Sequence, residues 1–196
     1  MARENGDTVN IKITTALAGS FVAAALTVSA QTSSFKLQSS DIAPQSTIAL
    51  EQIFNGFGCT GKNISPALSW SGVPAAAKSL AIIMHDPDAP TGVGGFTHWM
   101  VYNIPVSAMG IAKGVGTADG KLLPVGAKQA TTSFGEPAYG GPCPPMGDKP
   151  HEYIFTLYAL GTDKLELPSG ASQAFVGFNI VGNSVAKTSF SAYFGR

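Results

Sequence analysis

Three apolar runs, each cut off by a loop rich in proline or glycine, limit what this chain can fold into. They are Ser79–His85 (SLAIIMH), Phe96–Ile104 (FTHWMVYNI) and Glu152–Leu160 (EYIFTLYAL). Short apolar runs with β-branched and aromatic residues, bounded by turn signals, predict buried strands. Weaker strand patterns fall at Phe35–Ser39, Ile48–Phe54, Leu68–Trp70 and Ser189–Phe194. Only Gly170–Val185 spaces its apolar residues as a helix would, and Gly177 and Gly182 weaken it. Strands dominate and the helical signal comes late, so the class is mainly β, a sandwich or barrel. The 23 glycines and 13 prolines supply the turns. A chain of 196 residues fits one domain able to bury its own core.

Charge excludes one class of partner. Twelve cations balance twelve anions, whereas nucleic-acid binders rely on clustered cations facing phosphates. Only 12% of residues are charged, about half the usual ~25%, so charged clusters stand out as site candidates.

Before the strands lies an uncharged run, Ile13–Ala30, ending in Val28-Ser29-Ala30. Small residues at that spacing suit a signal-peptidase site. The expectation is a leader over residues 1–30, a single domain over 31–196, and a periplasmic or secreted product. A retained anchor and a buried N-terminal helix are the alternatives. The two cysteines, Cys59 and Cys143, form no CxxC and are too few for a structural zinc site. In an oxidising compartment they predict one disulfide, and two buried free thiols are the alternative.

Polar clusters sit where loops meet the strong strands. Asp86-Pro87-Asp88-Ala89-Pro90 follows the first run directly. Its prolines stiffen the corner, and its carboxylates either line a pocket or cap backbone N–H groups in an Asx-type turn. Thr97-His98-Trp99 opens the second run; strict alternation puts His98 on the face of Met100 and Tyr102, opposite Trp99. His151-Glu152-Tyr153 opens the third, with His151 and Tyr153 on one face. Each histidine has a bland alternative as a satisfied core residue. Together these are materials for a small anion site.

These segments carry a resemblance. NISPALSW (Asn63–Trp70), DPDAPTG (Asp86–Gly92), HWMVYNIP (His98–Pro105), YGGPCPP (Tyr139–Pro145) with HEYIFTLYAL (His151–Leu160), and GASQAFVGFN (Gly170–Asn179) occur in that order. The chain resembles the phosphatidylethanolamine-binding protein family, in its bacterial Raf-kinase-inhibitor-like branch. The cysteines beside a leader suggest the exported subgroup. The resemblance implies two packed antiparallel sheets with a few short helices near the C-terminus. It also implies a pocket for phosphate-like or carboxylate-like anions, drawn from Asp86, Asp88, Pro90, His98, Gly141, Pro142, Pro144, Pro145, His151 and Tyr153. In that pocket His98 and Tyr153 donate to the anion, Asp86 orients a histidine, His151 is the more exposed cation, and backbone N–H groups near Gly141 complete a nest.

The implied function is a non-enzymatic binding protein that carries a small ligand, such as a phosphate or phospholipid headgroup, or modulates a protein target. The target would be a protease or a kinase-like protein, and a homodimer is an allowed assembly. No cofactor and no metal is expected. The alternative is a hydrolase with His98, His151 and Asp86 as acid and base, although the chain holds no GxSxG nucleophile motif.

Overall fold

The computed structural model describes Met1 and residues 34–92 and 94–196. The expected leader lies outside the described residues. Among them no helix is long and apolar enough to cross a membrane.

The three strong runs are three adjacent strands. In chain order the strands are β1 (Lys36–Gln38), β2 (Asn55–Gly56), β3 (Cys59–Thr60), β4 (Leu68–Ser71), β5 (Ser79–Asp86), β6 (Phe96–Pro105), β7 (Gly110–Ile111), β8 (Lys128–Gln129), β9 (His151–Leu160) and β10 (Ser184–Phe194). A five-stranded antiparallel sheet runs β10-β9-β5-β6-β8, a three-stranded one runs β1-β4-β7, and β2 and β3 form a small hairpin. β5 is central in the large sheet, and its burial on both faces explains the near-continuous apolar run.

The main core lies between the two larger sheets. Leu37, Leu68, Trp70 and Ile111 from the smaller meet Leu80, Ile82, Trp99, Phe155 and Leu157 from the larger. The Trp70 indole donates to the Ala108 carbonyl at 2.8 Å, so its one polar atom is satisfied inside the core. On the opposite face of the large sheet lies the helix α1 (Gln173–Gly182). It packs Val176 and Ile180 against Ala81, Met100 and Leu160. Ser172 caps it by accepting from the Phe175 N–H. It is the one helix among the described residues, where several short ones were expected.

The weak pattern at Ile48–Phe54 is not a strand. Ile48 and Ile53 are buried, yet the backbone between them turns, with the Gln52 N–H donating to Ala49. Backbone contact with a strand is confined to the segment's start, where the Ile48 N–H donates to the Tyr193 carbonyl and the preceding Thr47 forms an isolated bridge to Tyr193. Core-facing side chains gave this segment a strand-like pattern without a partner strand to pair with.

The β5–β6 pairing is irregular at two places. Leu80 faces Ile104 while Ile82 faces Val101, and Met84 faces Trp99 while His85 faces Thr97. In the first, Asn103 adopts a positive φ of 58°. Its amide oxygen accepts from the Leu165 N–H, and its amide nitrogen donates to the Leu165 carbonyl. In the second, His98 is the extra residue of a β-bulge.

Candidate functional site

The second bulge decides where His98 goes. Thr97 faces outward, accepting from Gln173 of α1 at 2.7 Å. Without the bulge His98 would be inward and Trp99 outward, breaking the core; with it, both turn inward. His98 therefore leaves the face of Met100 and Tyr102, where strict alternation placed it, and its ring lies 5.1 Å from that of Tyr153. A bulge re-aims a side chain in this way at sheet ends.

His98 joins Asp86, His151 and Tyr153 at the floor of a cavity of about 200 Å³. All four are buried. Asp86 organises them. Its Oδ1 accepts the backbone N–H groups of Asp88 (2.9 Å) and Ala89 (3.0 Å), the Asx-type turn. Its Oδ2 stands 2.8 Å from His151 Nδ1 and 4.0 Å from His98 Nε2. One carboxylate thus closes the turn and orients a histidine. His151 Nε2 lies 3.4 Å from Asp148 Oδ2. With 2% of its surface exposed, His151 is not the more exposed cation the sequence suggested.

Pro90, Pro144 and Pro145 also line the cavity, whereas Asp88, Gly141 and Pro142 do not. Asp88 turns away to accept from Lys149 Nζ and the Glu152 N–H, both at 2.9 Å, and the Lys149 bond holds its carboxyl below the usual carboxylate range. It ties the acidic corner to the start of β9. Gly141 lies behind the wall, where a Cβ would overlap the Gln52 carbonyl. Its N–H donates to Asn63 Oδ1 at 2.7 Å, and the Gly140 N–H donates to the His98 carbonyl. The expected nest has no free N–H at these two residues. Pro142 accepts from the Phe54 N–H.

The mouth is aromatic, which the motifs did not indicate. Phe57, Phe96 and Phe134 line it. Phe134 packs edge-on against Phe96 (4.8 Å) and His98 (5.5 Å) and stacks with Phe57 (6.1 Å). Phe57 sits at the tip of the β2–β3 hairpin with a positive φ of 50° and is 72% exposed. Two links hold that tip to the opposite wall. Cys59 and Cys143 form the expected disulfide. The Arg196 guanidinium donates to the carbonyls of Pro144 (2.7 Å) and Phe57 (3.0 Å). The signal for Phe57 was the disulfide itself, since Phe57 lies two residues from Cys59.

Burial sets the protonation of the floor. It pushes His98 down to about 4, against the opposing pull of the Gly140 carbonyl and the Asp86 charge. His98 is therefore neutral at pH 7, not the cation an anion site invites. Since the Gly140 carbonyl can only accept, the 2.8 Å contact assigns the proton to Nδ1. Nε2 then carries a lone pair. Burial, reinforced by the nearby Asp86 charge, pushes the Tyr153 hydroxyl well above its ordinary value, so it keeps its proton. That hydroxyl is buried beside the Asp86 carboxylate, yet no described residue meets it at good hydrogen-bonding distance and angle. Among the described residues no group of three or more His, Cys, Asp or Glu is placed to hold a metal ion.

The fold and sequence have close relatives. The family model for phosphatidylethanolamine-binding protein matches residues 38–195. YbcL of Escherichia coli is 45% identical over 167 residues, covering 85% of this chain and 91% of its own. YbhB of the same organism is 42% identical over 159 residues, covering 81% and 99%. The crystal structure of E. coli YbcL, presented as a new member of the mammalian PEBP family, aligns with a TM-score of 0.80 over 83% of this chain and 98% of that one, at 42% identity. A PEBP homologue from Chlamydia trachomatis aligns at 0.68 and 30% identity, covering 83% and 97%. A family model that spans the strands, relatives at this identity over nearly their whole length, and a shared fold agree: the chain belongs to the phosphatidylethanolamine-binding protein family.

Proposed function

We propose that this protein is an exported, non-enzymatic binding protein whose cavity holds a small oxyanion, a phosphate or a carboxylate. The observation that carries the reading is the Tyr153 hydroxyl, buried at the cavity floor beside the Asp86 carboxylate but with no well-formed hydrogen bond to any described residue. A buried donor left unsatisfied costs about 1–3 kcal/mol, and a ligand oxygen removes that cost. The apolar mouth shields the bond from water, and the cavity volume suits a headgroup rather than a whole lipid. Asp86 has both oxygens engaged and orients His151 instead of facing the ligand as a free charge. Export is supported by the uncharged run before residue 31 and by the disulfide, since such bonds persist in oxidising compartments. In this reading the loaded mouth, with Phe57 exposed beside it, is the surface a protein target meets.

The test is phosphorus NMR of phosphoethanolamine titrated with the protein, run beside a turnover screen on generic phosphate and carboxyl esters. Saturable broadening or shift of the phosphorus line, with no turnover, is expected. An unperturbed line at millimolar protein overturns the anion site, and turnover abolished by His98→Ala would favour the hydrolase.

A further inference from the structure

We infer that the cavity takes its oxyanion together with a proton, as an acid oxyanion whose O–H is donated to His98 Nε2 while a second oxygen accepts from Tyr153. This rests on the anion-binding reading above and adds the protonation state of the bound ligand.

The geometry turns on which atoms at the floor can donate. The Gly140 carbonyl takes the Nδ1–H of His98, and the Gly140 N–H donates back to the His98 carbonyl. This paired contact holds the ring in one tautomer, and a neutral imidazole has only one N–H to give. Nε2 is therefore an acceptor. Asp86 Oδ2, 4.0 Å from Nε2, is an acceptor too, engaged by His151 at 2.8 Å. Tyr153 supplies the opposite function, a hydroxyl donor that approaches the Asp86 carboxylate but forms no well-aligned hydrogen bond with any described residue. A fully ionised oxyanion satisfies Tyr153 but meets two lone-pair acceptors with a third. An oxyanion that keeps one O–H satisfies both sides. Burial leaves the imidazole without a second proton, at Nε2, near neutral pH, so the proton enters with the ligand.

Other titratable groups surround this contact. Asp86 and His85 come from β5, and His151 and Tyr153 from β9. Asp148 lies behind His151, and the Asp88–Lys149 pair lies on the far side of the acidic corner. The test must therefore assign the proton uptake to the contact at His98 Nε2.

A phosphomonoester loses its second proton near pH 6. Above that, binding the protonated form draws one proton from solvent, and apparent affinity falls about tenfold per pH unit. Calorimetric titration with methyl phosphate at pH 8, in two buffers of different ionisation enthalpy, reads the uptake directly. The expected result is close to one proton per ligand, with about a hundredfold loss of affinity from pH 6.5 to 8.5. In His98→Gln the side-chain amide can donate to the dianion, so uptake should disappear and the pH slope should flatten. Should that variant not fold, wild-type binding without proton uptake still overturns the inference. Binding with no uptake and a flat slope overturns this inference and leaves the anion site standing. Uptake that persists in folded His98→Gln places the proton elsewhere and also overturns it. No binding at any pH removes the anion site and this inference with it.

Discussion

The floor and the mouth of the cavity are held by different forces. The floor is part of the sheet: His98, His151 and Tyr153 lie on paired strands, and Asp86 closes β5. Core packing and short hydrogen bonds set their positions. The mouth is built on loops and a two-residue hairpin, and it is tied by the Cys59–Cys143 bond and the Arg196 guanidinium. Loops bury little, so their position relies on such ties. Damage to the floor should therefore appear as lost stability, and damage to the mouth should alter its shape as well.

The largest effect should come from the hinge of the floor. Asp86→Ala removes the acceptor of two backbone N–H groups and the partner of a buried imidazole. Losing one side of such a buried pair costs about 3–5 kcal/mol, readable as a lower midpoint in urea unfolding. An unchanged midpoint would show that Asp86 does not organise the floor. Next comes the mouth. The double change Cys59→Ala, Cys143→Ala opens a loop with a sequence separation of 84. It should cost about 2–4 kcal/mol. Proteolysis should then nick the Phe57 hairpin first while the sheet stays resistant. Simultaneous digestion of both would break the distinction.

A smaller effect separates the floor by pH. His98 titrates near 4 when folded and near the ordinary 6.5 when unfolded. The unfolded chain thus binds the extra proton between those values, and stability falls as pH drops through that window. The loss from this residue is about 1.5 kcal/mol between pH 6.5 and 5. Unfolding curves of wild type and His98→Gln should converge as pH falls, and parallel curves would contradict a neutral buried His98.

Legibility in the sequence followed the same division. The three strong strands could be read because burial leaves a run of apolar residues with turn residues at its ends. The acidic corner and His151 with Tyr153 could be read because loop–strand junctions gather at one end of a sandwich. The bulge at His98 could not, because alternation assumes an unbroken ladder and an extra residue leaves no mark in composition. The diversion of Asp88 to Lys149 depends on a contact 61 residues away, beyond any local pattern. Ile48–Phe54 misled for a related reason: side chains that reach the core look alike whether the backbone is paired or turning. The aromatic mouth comes from Phe57, Phe96 and Phe134, which only the folded chain brings together.

The central claim is that Tyr153 carries an unsatisfied hydroxyl kept for a ligand, and Tyr153→Phe tests it with one atom. Calorimetric titration with inorganic phosphate at pH 6.5 should give about tenfold weaker binding in the variant. Unfolding of the ligand-free protein should show it as stable as wild type or up to about 1 kcal/mol more so, since the orphaned buried group is gone. Equal affinity for phosphate in the two proteins, or a variant destabilised without ligand, would contradict the account.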